Sequence, residues 1–197
     1  VADGIITETT GTVLAIAATC GKESLCADKH VTVYKHALPG KYLYLPICMT
    51  GGMALKWFKD QFCAAEQSLA KERGLPVYRL LDELAEQSPP LSNGVLTLPY
   101  FNGTLQPQFD PAARGVFFGV GLENTRADFV RSILESVAYM LRENIEMIAA
   151  LGGGTPSRLH CCGGGSRSGV WNQIKADVLG LNAYELTCSE TTSIGAA

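Results

Sequence analysis

A glycine-rich turn set between a short apolar run and a helix constrains this chain more than any other feature. Leu159 to Cys162 reads as a buried strand that stops at Gly163-Gly164-Gly165, and a helix begins near Ser168 and ends at Gly180. Glycines accept backbone angles closed to other residues and let a ligand approach the main chain closely. A helix starting just beyond them points unpaired N–H groups and a partial positive charge at that ligand. Such a layout suits a nucleotide or phosphate, and it also suits a tight strand-to-helix turn that binds nothing. Two familiar fingerprints are excluded. A dinucleotide-binding G-x-G-x-x-G needs a glycine where Ser168 stands, and the Gly-Lys-Ser/Thr triplet of a P-loop occurs nowhere in the chain.

The composition narrows the class of protein. With 197 residues, 47% of them hydrophobic and 18% charged, the chain can bury the core of one sizeable domain. The net charge of -3, with Lys and Arg scattered singly, argues against a nucleic-acid or membrane-surface role. No apolar run reaches membrane-spanning length, and the first residues do not form a basic-then-apolar leader. Seven cysteines form no C-x-x-C pair. Buried free thiols in a reducing cytoplasm explain them better than disulfides or zinc.

Along the chain, Thr12 to Thr19 is β-branched and apolar and predicts a central strand. Val31 to Lys35 and Tyr42 to Cys48 predict two more, separated by a Pro39-Gly40 turn. One helix is expected from about Gly51 to Arg73, with Leu55, Phe58, Phe62, Ala65 and Leu69 as its apolar stripe. A shorter helix spans Tyr78 to Gln87, and Leu91 to Asn124 reads as irregular. The strongest helix follows Thr125. Thr125 and Asp128 form a capping-box pair, and Val130, Leu134, Val137, Leu141, Ile145 and Ile148 make one stripe. A strand at Ala183 to Leu186 and a helical turn at the end complete the pattern. Early strands followed by alternating helix and strand predict an α/β domain, a mixed sheet flanked by helices.

These segments, taken in order, resemble the FGGY carbohydrate kinases. Gly163-Gly-Gly-Ser-Arg-Ser168, Trp171-x-Gln173 and Ala176-Asp-x-Leu-Gly180 are similar to that family's adenosine motif. Leu98-Pro-Tyr-Phe-Asn-Gly103, Asp110-Pro-x-Ala-Arg-Gly115 and Phe118-Gly119 resemble its signature region, as do Thr125-Arg-Ala and Arg131-x-x-Leu-Glu-x-Val-Ala138. His36-Ala-Leu-Pro-Gly40 and Gly51-Gly52 with Trp57-Phe58 lean toward the xylulokinase-like branch. Ser193-Ile-Gly-Ala-Ala197 resembles the opening of the family's last helix, and the chain begins at Val1-Ala-Asp without Met. Residues 1–197 are thus expected to be a fragment, the C-terminal nucleotide-binding domain of a two-domain sugar kinase. The resemblance implies a ribonuclease-H-like fold of the actin and hexokinase type, without the N-terminal sugar-binding domain and the last helices.

By position, the resemblance also implies site residues. Thr19 matches the threonine of a turn against the ATP phosphates, although Ala18 and Cys20 depart from that turn's pattern. Gly52 matches a glycine at a helix start beside the nucleotide, with Lys56 one turn on. Gly163, Gly164 and Gly165 are implied to bind the nucleotide, Gly164 matching the glycine under the adenosine and Ser168 the polar residue that touches it. Each has a plainer alternative: a strand-end hydroxyl for Thr19, a spacer for Gly52, a solvated charge for Lys56, an N-cap for Ser168. Glu135, Asp110 and Arg114 are expected to make local structural contacts, and His30, His36 and His160 show no ligand spacing.

The implied chemistry is transfer of the ATP γ-phosphate to a sugar hydroxyl with Mg2+, the sugar being a pentulose such as xylulose. No catalytic residue and no metal ligand are assigned within the chain. The catalytic aspartate of the family is expected upstream of Val1, and Asp3 does not match its flanking pattern. The expected partner is the sugar, reached through the N-terminal domain, with a homodimer left open. A non-catalytic nucleotide-binding or interaction module on the same fold is the alternative, prompted by Ala18 and Cys20.

Overall fold

The computed structural model describes residues 4–21, 31–153 and 155–186. Its central sheet is mixed. Strands β1 (Ile5–Thr10) and β2 (Leu14–Cys20) form an antiparallel hairpin, and β3 (Val33–Lys35), β4 (Tyr42–Tyr44) and β5 (Ile47–Cys48) extend it on the β2 side. On the other side, β1 pairs in parallel with β8 (Arg158–Cys162), which pairs in parallel with β9 (Asn182–Glu185). A separate antiparallel ribbon joins β6 (Leu96–Leu98) to β7 (Val116–Phe118) within the stretch expected to be irregular.

Local chemistry accounts for the departures from expectation. The run Tyr42 to Cys48 divides into β4 and β5 around Pro46, which has no N–H for the ladder; its carbonyl accepts from Ile16 instead. The expected helix over Gly51 to Arg73 is two helices, α1 (Gly52–Phe62) and α2 (Ala64–Arg73). Between them the buried Cys63 leaves helical geometry (φ −114°, ψ 44°). The apolar stripe therefore does not continue. Ala54, Leu55 and Phe58 are buried, while Phe62 and Ala65 are exposed. Gly74 ends α2 in a left-handed cap (φ 62°), a conformation that favours glycine.

Helix α3 (Val77–Gln87) is followed by α4 (Arg126–Ile148), the axis of the core. Asp128 accepts the Thr125 N–H at 2.7 Å, the return half of the expected capping box. All six stripe residues of α4, from Val130 to Ile148, are buried, and the helix packs on β2, α1, α3 and α5 (Gly169–Leu179). Burying each such side chain contributes about 1.5–3 kcal/mol. Glu135 stays structural, accepting from the Leu91 N–H and the Ser92 hydroxyl at 3.0 and 2.9 Å. Asp110 accepts the Ala112 and Ala113 amides of its own turn, and Arg114 donates to the Pro111 and Ala113 carbonyls. Cys20, Cys48, Cys63, Cys161 and Cys162 are buried, Cys48, Cys63 and Cys161 as free thiols. Among the described residues no helix is long and apolar enough to cross a membrane.

Candidate nucleotide-binding site

Two parallel strands bring the candidate site together. Thr9 lies beside Cys162 in the β1–β8 register, so the turn after β1 and the loop after β8 leave the sheet at the same end. Ligands of open α/β sheets collect at such strand ends. The start of α1 is the third element there. Gly51 N–H donates to the Thr12 carbonyl at 3.0 Å, Gly52 N–H to Gly11 at 2.7 Å, and Met53 N–H to Thr12 at 3.2 Å. A β-carbon on Gly51 would fall 2.6 Å from the Val13 carbonyl, and one on Gly52 the same distance from the Gly11 oxygen. Both glycines let the helix seat on the turn. The Gly52 amide is thereby committed to the protein, and its part in the site is this close approach.

The three loop glycines differ from one another. Gly163 has φ 77°, and a β-carbon there would lie 2.8 Å from the Thr10 carbonyl. At Gly165 it would lie 2.7 Å from the Thr10 side chain. At Gly164, which is exposed, it would meet nothing within 4 Å. Packing against β1 demands glycine at Gly163 and Gly165. None of the described residues demands it at Gly164, whose bare backbone is open to a ligand.

Ser168 caps α5. Its hydroxyl oxygen accepts the Trp171 N–H at 3.1 Å, and its proton goes to Asp82 Oδ1 at 2.8 Å. Burial pushes the Asp82 carboxyl above its usual value against the opposing Ser168 hydrogen bond, and nearby Glu86 adds to the rise. Lys56 lies on the exposed side of α1 and pairs with Asp60 at 2.6 Å.

Thr19 requires correction. It pairs with Leu43 near the end of β2, and its neighbour Ala18 lies opposite Ile6 at the start of β1. The Gly163–Gly165 loop follows the other end of β1, five residues further along, or roughly 17 Å at strand spacing. Thr19, Ala18 and Cys20 therefore belong to the opposite end of the sheet. The turn that faces the glycine loop is Gly11-Thr12-Val13, one strand earlier. It was missed because Ile5–Thr10 contains Glu8 and three threonines and does not read as an apolar strand. A glycine between hydroxyl residues, Thr9-Thr10-Gly11-Thr12, was the available signal. Thr50, just before Gly51, was also missed; its buried hydroxyl has no hydrogen-bond partner among the described residues. An orphaned polar atom at the start of α1, where the helix seats on the Gly11–Val13 turn, fits a site built for a polar ligand.

The family model for the C-terminal domain of the FGGY carbohydrate kinases matches residues 5–197. The chain belongs to that family. This FGGY domain is 32% identical over 173 residues to the autoinducer-2 kinase of Escherichia coli strain K12, covering 86% of the chain and 32% of that protein. Its structure resembles the xylulose kinase of Rhodospirillum rubrum (TM-score 0.79, 28% identity) over 100% of the chain and 39% of that one. The xylulose kinase of Bifidobacterium adolescentis is similar over 100% of the chain and 36% of its own length (TM-score 0.82, 27% identity). The chain thus spans about a third of the length of the curated relatives it matches. The mixed sheet flanked by helices is the actin-like ATPase fold of FGGY kinases. Asp3 and the expected closing helix at Ser193–Ala197 lie outside the described residues. Among the described residues no group of three or more His, Cys, Asp or Glu is placed to hold a metal ion.

Proposed function

We propose that this FGGY domain is the ATP-binding half of a sugar kinase that transfers the γ-phosphate of ATP to a sugar hydroxyl, with a pentulose such as xylulose as first acceptor. One observation carries the reading. Gly164 is open to solvent between two glycines locked onto β1, at the sheet end where the Gly11–Val13 turn and the start of α1 also converge. Adenosine would lie against the Gly164 backbone, and the phosphates would extend toward the turn. Thr12 is exposed there and its hydroxyl is a suitable donor to a polyanion. Mg2+ would be held mainly by the phosphates, as is usual for this ion, since the described residues offer it no cluster of His, Cys, Asp or Glu. The sugar pocket and the catalytic base belong to sequence outside residues 1–197.

Half a cleft cannot position two substrates or exclude water, and these supply most of a kinase's rate. The chain alone is therefore inactive on sugars. A polypeptide carrying it together with its upstream domain should release ADP when given ATP, Mg2+ and the right ketose. The relatives named as autoinducer-2 kinases, at 31–32% identity, make autoinducer-2 the second acceptor to test beside xylulose. Turnover by the chain alone would overturn the half-site reading. Absence of turnover on every ketose, polyol and autoinducer-2 preparation tried would favour the non-catalytic module. Ala18 and Cys20, which prompted that alternative, lie at the far end of the sheet and do not alter the glycine turn.

A further inference from the structure

Beneath the Gly11–Val13 turn lies an ion pair that touches no solvent. Lys175 Nζ on α5 stands 2.6 Å from Glu8 Oε1 on β1, and both side chains have 0% exposure. The other carboxylate oxygen of Glu8 accepts the Thr10 hydroxyl at 2.6 Å, and Lys175 donates to the same hydroxyl oxygen at 3.2 Å. The ammonium also lies 4.9 Å from the centre of the Trp171 ring. Thr10 therefore both gives and receives a hydrogen bond within one closed triangle. That fixes its side chain, whose Cβ and methyl group press against Gly165. Thr10 is also the residue from which the Gly11–Val13 turn springs. One side chain thus joins the turn, the glycine loop and α5.

Burying two charges carries a large desolvation cost, and an apolar pair of similar volume often stabilises a fold as well or better. What an apolar pair cannot supply is direction. We propose that Glu8 and Lys175 are positioning residues that, through Thr10, hold the Gly11–Val13 turn at a fixed spacing from the Gly163–Gly165 loop. The proposal rests on the nucleotide reading above: the loop takes the adenosine end, the turn takes the phosphate end, and the triangle sets the distance between them. Losing it should weaken ligands that span both elements and spare those that occupy one.

The test compares the chain with its Glu8→Leu/Lys175→Met double variant, which removes both charges at once, and with Thr10→Val, which keeps the shape and removes the hydroxyl. Calorimetry with ADP and with adenosine supplies the first readout. The double variant should lose about tenfold in ADP affinity and keep its adenosine affinity, with Thr10→Val showing the same selectivity. Equal losses for both ligands, or no loss, in a folded variant would overturn the proposal. If the double variant does not fold, Thr10→Val decides by the same ratio. Amide hydrogen exchange supplies a second readout that needs no ligand. The Gly52 and Met53 amides, which donate to the turn, should exchange faster in the variants while those of mid-α4 do not change. If the unaltered chain binds neither ligand, the nucleotide reading fails, and unchanged exchange at Gly52 and Met53 overturns the positioning role separately.

Discussion

At one end of the central sheet, the turn after Thr10, the start of α1 and the Gly163–Gly165 loop approach so closely that a single β-carbon would collide with backbone. At the other end, Thr19 sits in an ordinary antiparallel ladder beside Leu43, and Ser157 caps the approach to β8 by donating to the Gly4 carbonyl at 3.1 Å. Both ends carry a threonine and a glycine, so residue type alone does not separate them. Packing does. The crowded end spends glycines, a buried ion pair and committed amides on bringing three segments together, and then leaves Gly164 bare. A fold has no need of that last arrangement, and a ligand site has.

The comparison can be broken first at the ion pair. Lys175→Met alone leaves the Glu8 carboxylate buried without its partner and should cost about 3–5 kcal/mol, read by denaturant unfolding. A cost near zero would mean that water reaches Glu8 and that the crowded end is looser than described. Next come the glycines. Gly165→Val forces a branched side chain into Thr10 and should destabilise by about 1–3 kcal/mol, whereas Gly164→Val should leave the melting temperature nearly unchanged. Equal losses at the two positions would erase the distinction between packed and open glycines.

A smaller effect concerns Asp82, which receives the Ser168 proton beside the loop. Its carboxyl is held above the usual 3.8, chiefly by burial. The fold thus favours the protonated form. That contribution is fully present below the unfolded value and fades as pH rises through the raised one. Asp82→Asn keeps an acceptor for Ser168 and removes the titration. The variant should melt slightly higher at neutral pH and match the parent below about pH 4. A lower melting temperature at neutral pH would show that the charge itself is needed. The smallest response is expected from the thiols. Burial drives Cys48 and Cys161 up to about 12, so neither should react with a thiol reagent at neutral pH until the protein unfolds.

Local pattern made some of this architecture legible and left the rest invisible. The α4 stripe, its Thr125–Asp128 start, and the strand, glycine loop and helix from Arg158 to Gly180 each announce themselves within a few residues. Strand β1 does not. Glu8 is tolerated in its interior only because Lys175 arrives from α5, 167 positions away in sequence, and no local periodicity carries that information. Missing β1 displaced the expected phosphate turn by one strand and put Thr19 in the place that belongs to Gly11-Thr12-Val13. The break at Cys63 was hidden for a related reason, since the stripe written across it is continuous on paper. Thr50 offered no signal at all. Its hydroxyl is notable only for having no hydrogen-bond partner among the described residues.

The most direct test of the two-ended account is ADP affinity, measured by calorimetry on the unaltered chain and on Gly164→Val and Thr19→Val, with circular dichroism establishing that all three fold. The account predicts that ADP binds the unaltered chain, that Gly164→Val abolishes binding because the side chain fills the open approach, and that Thr19→Val binds as the parent does. Unchanged affinity in Gly164→Val, or a loss in Thr19→Val matching it, would contradict the placement of the site.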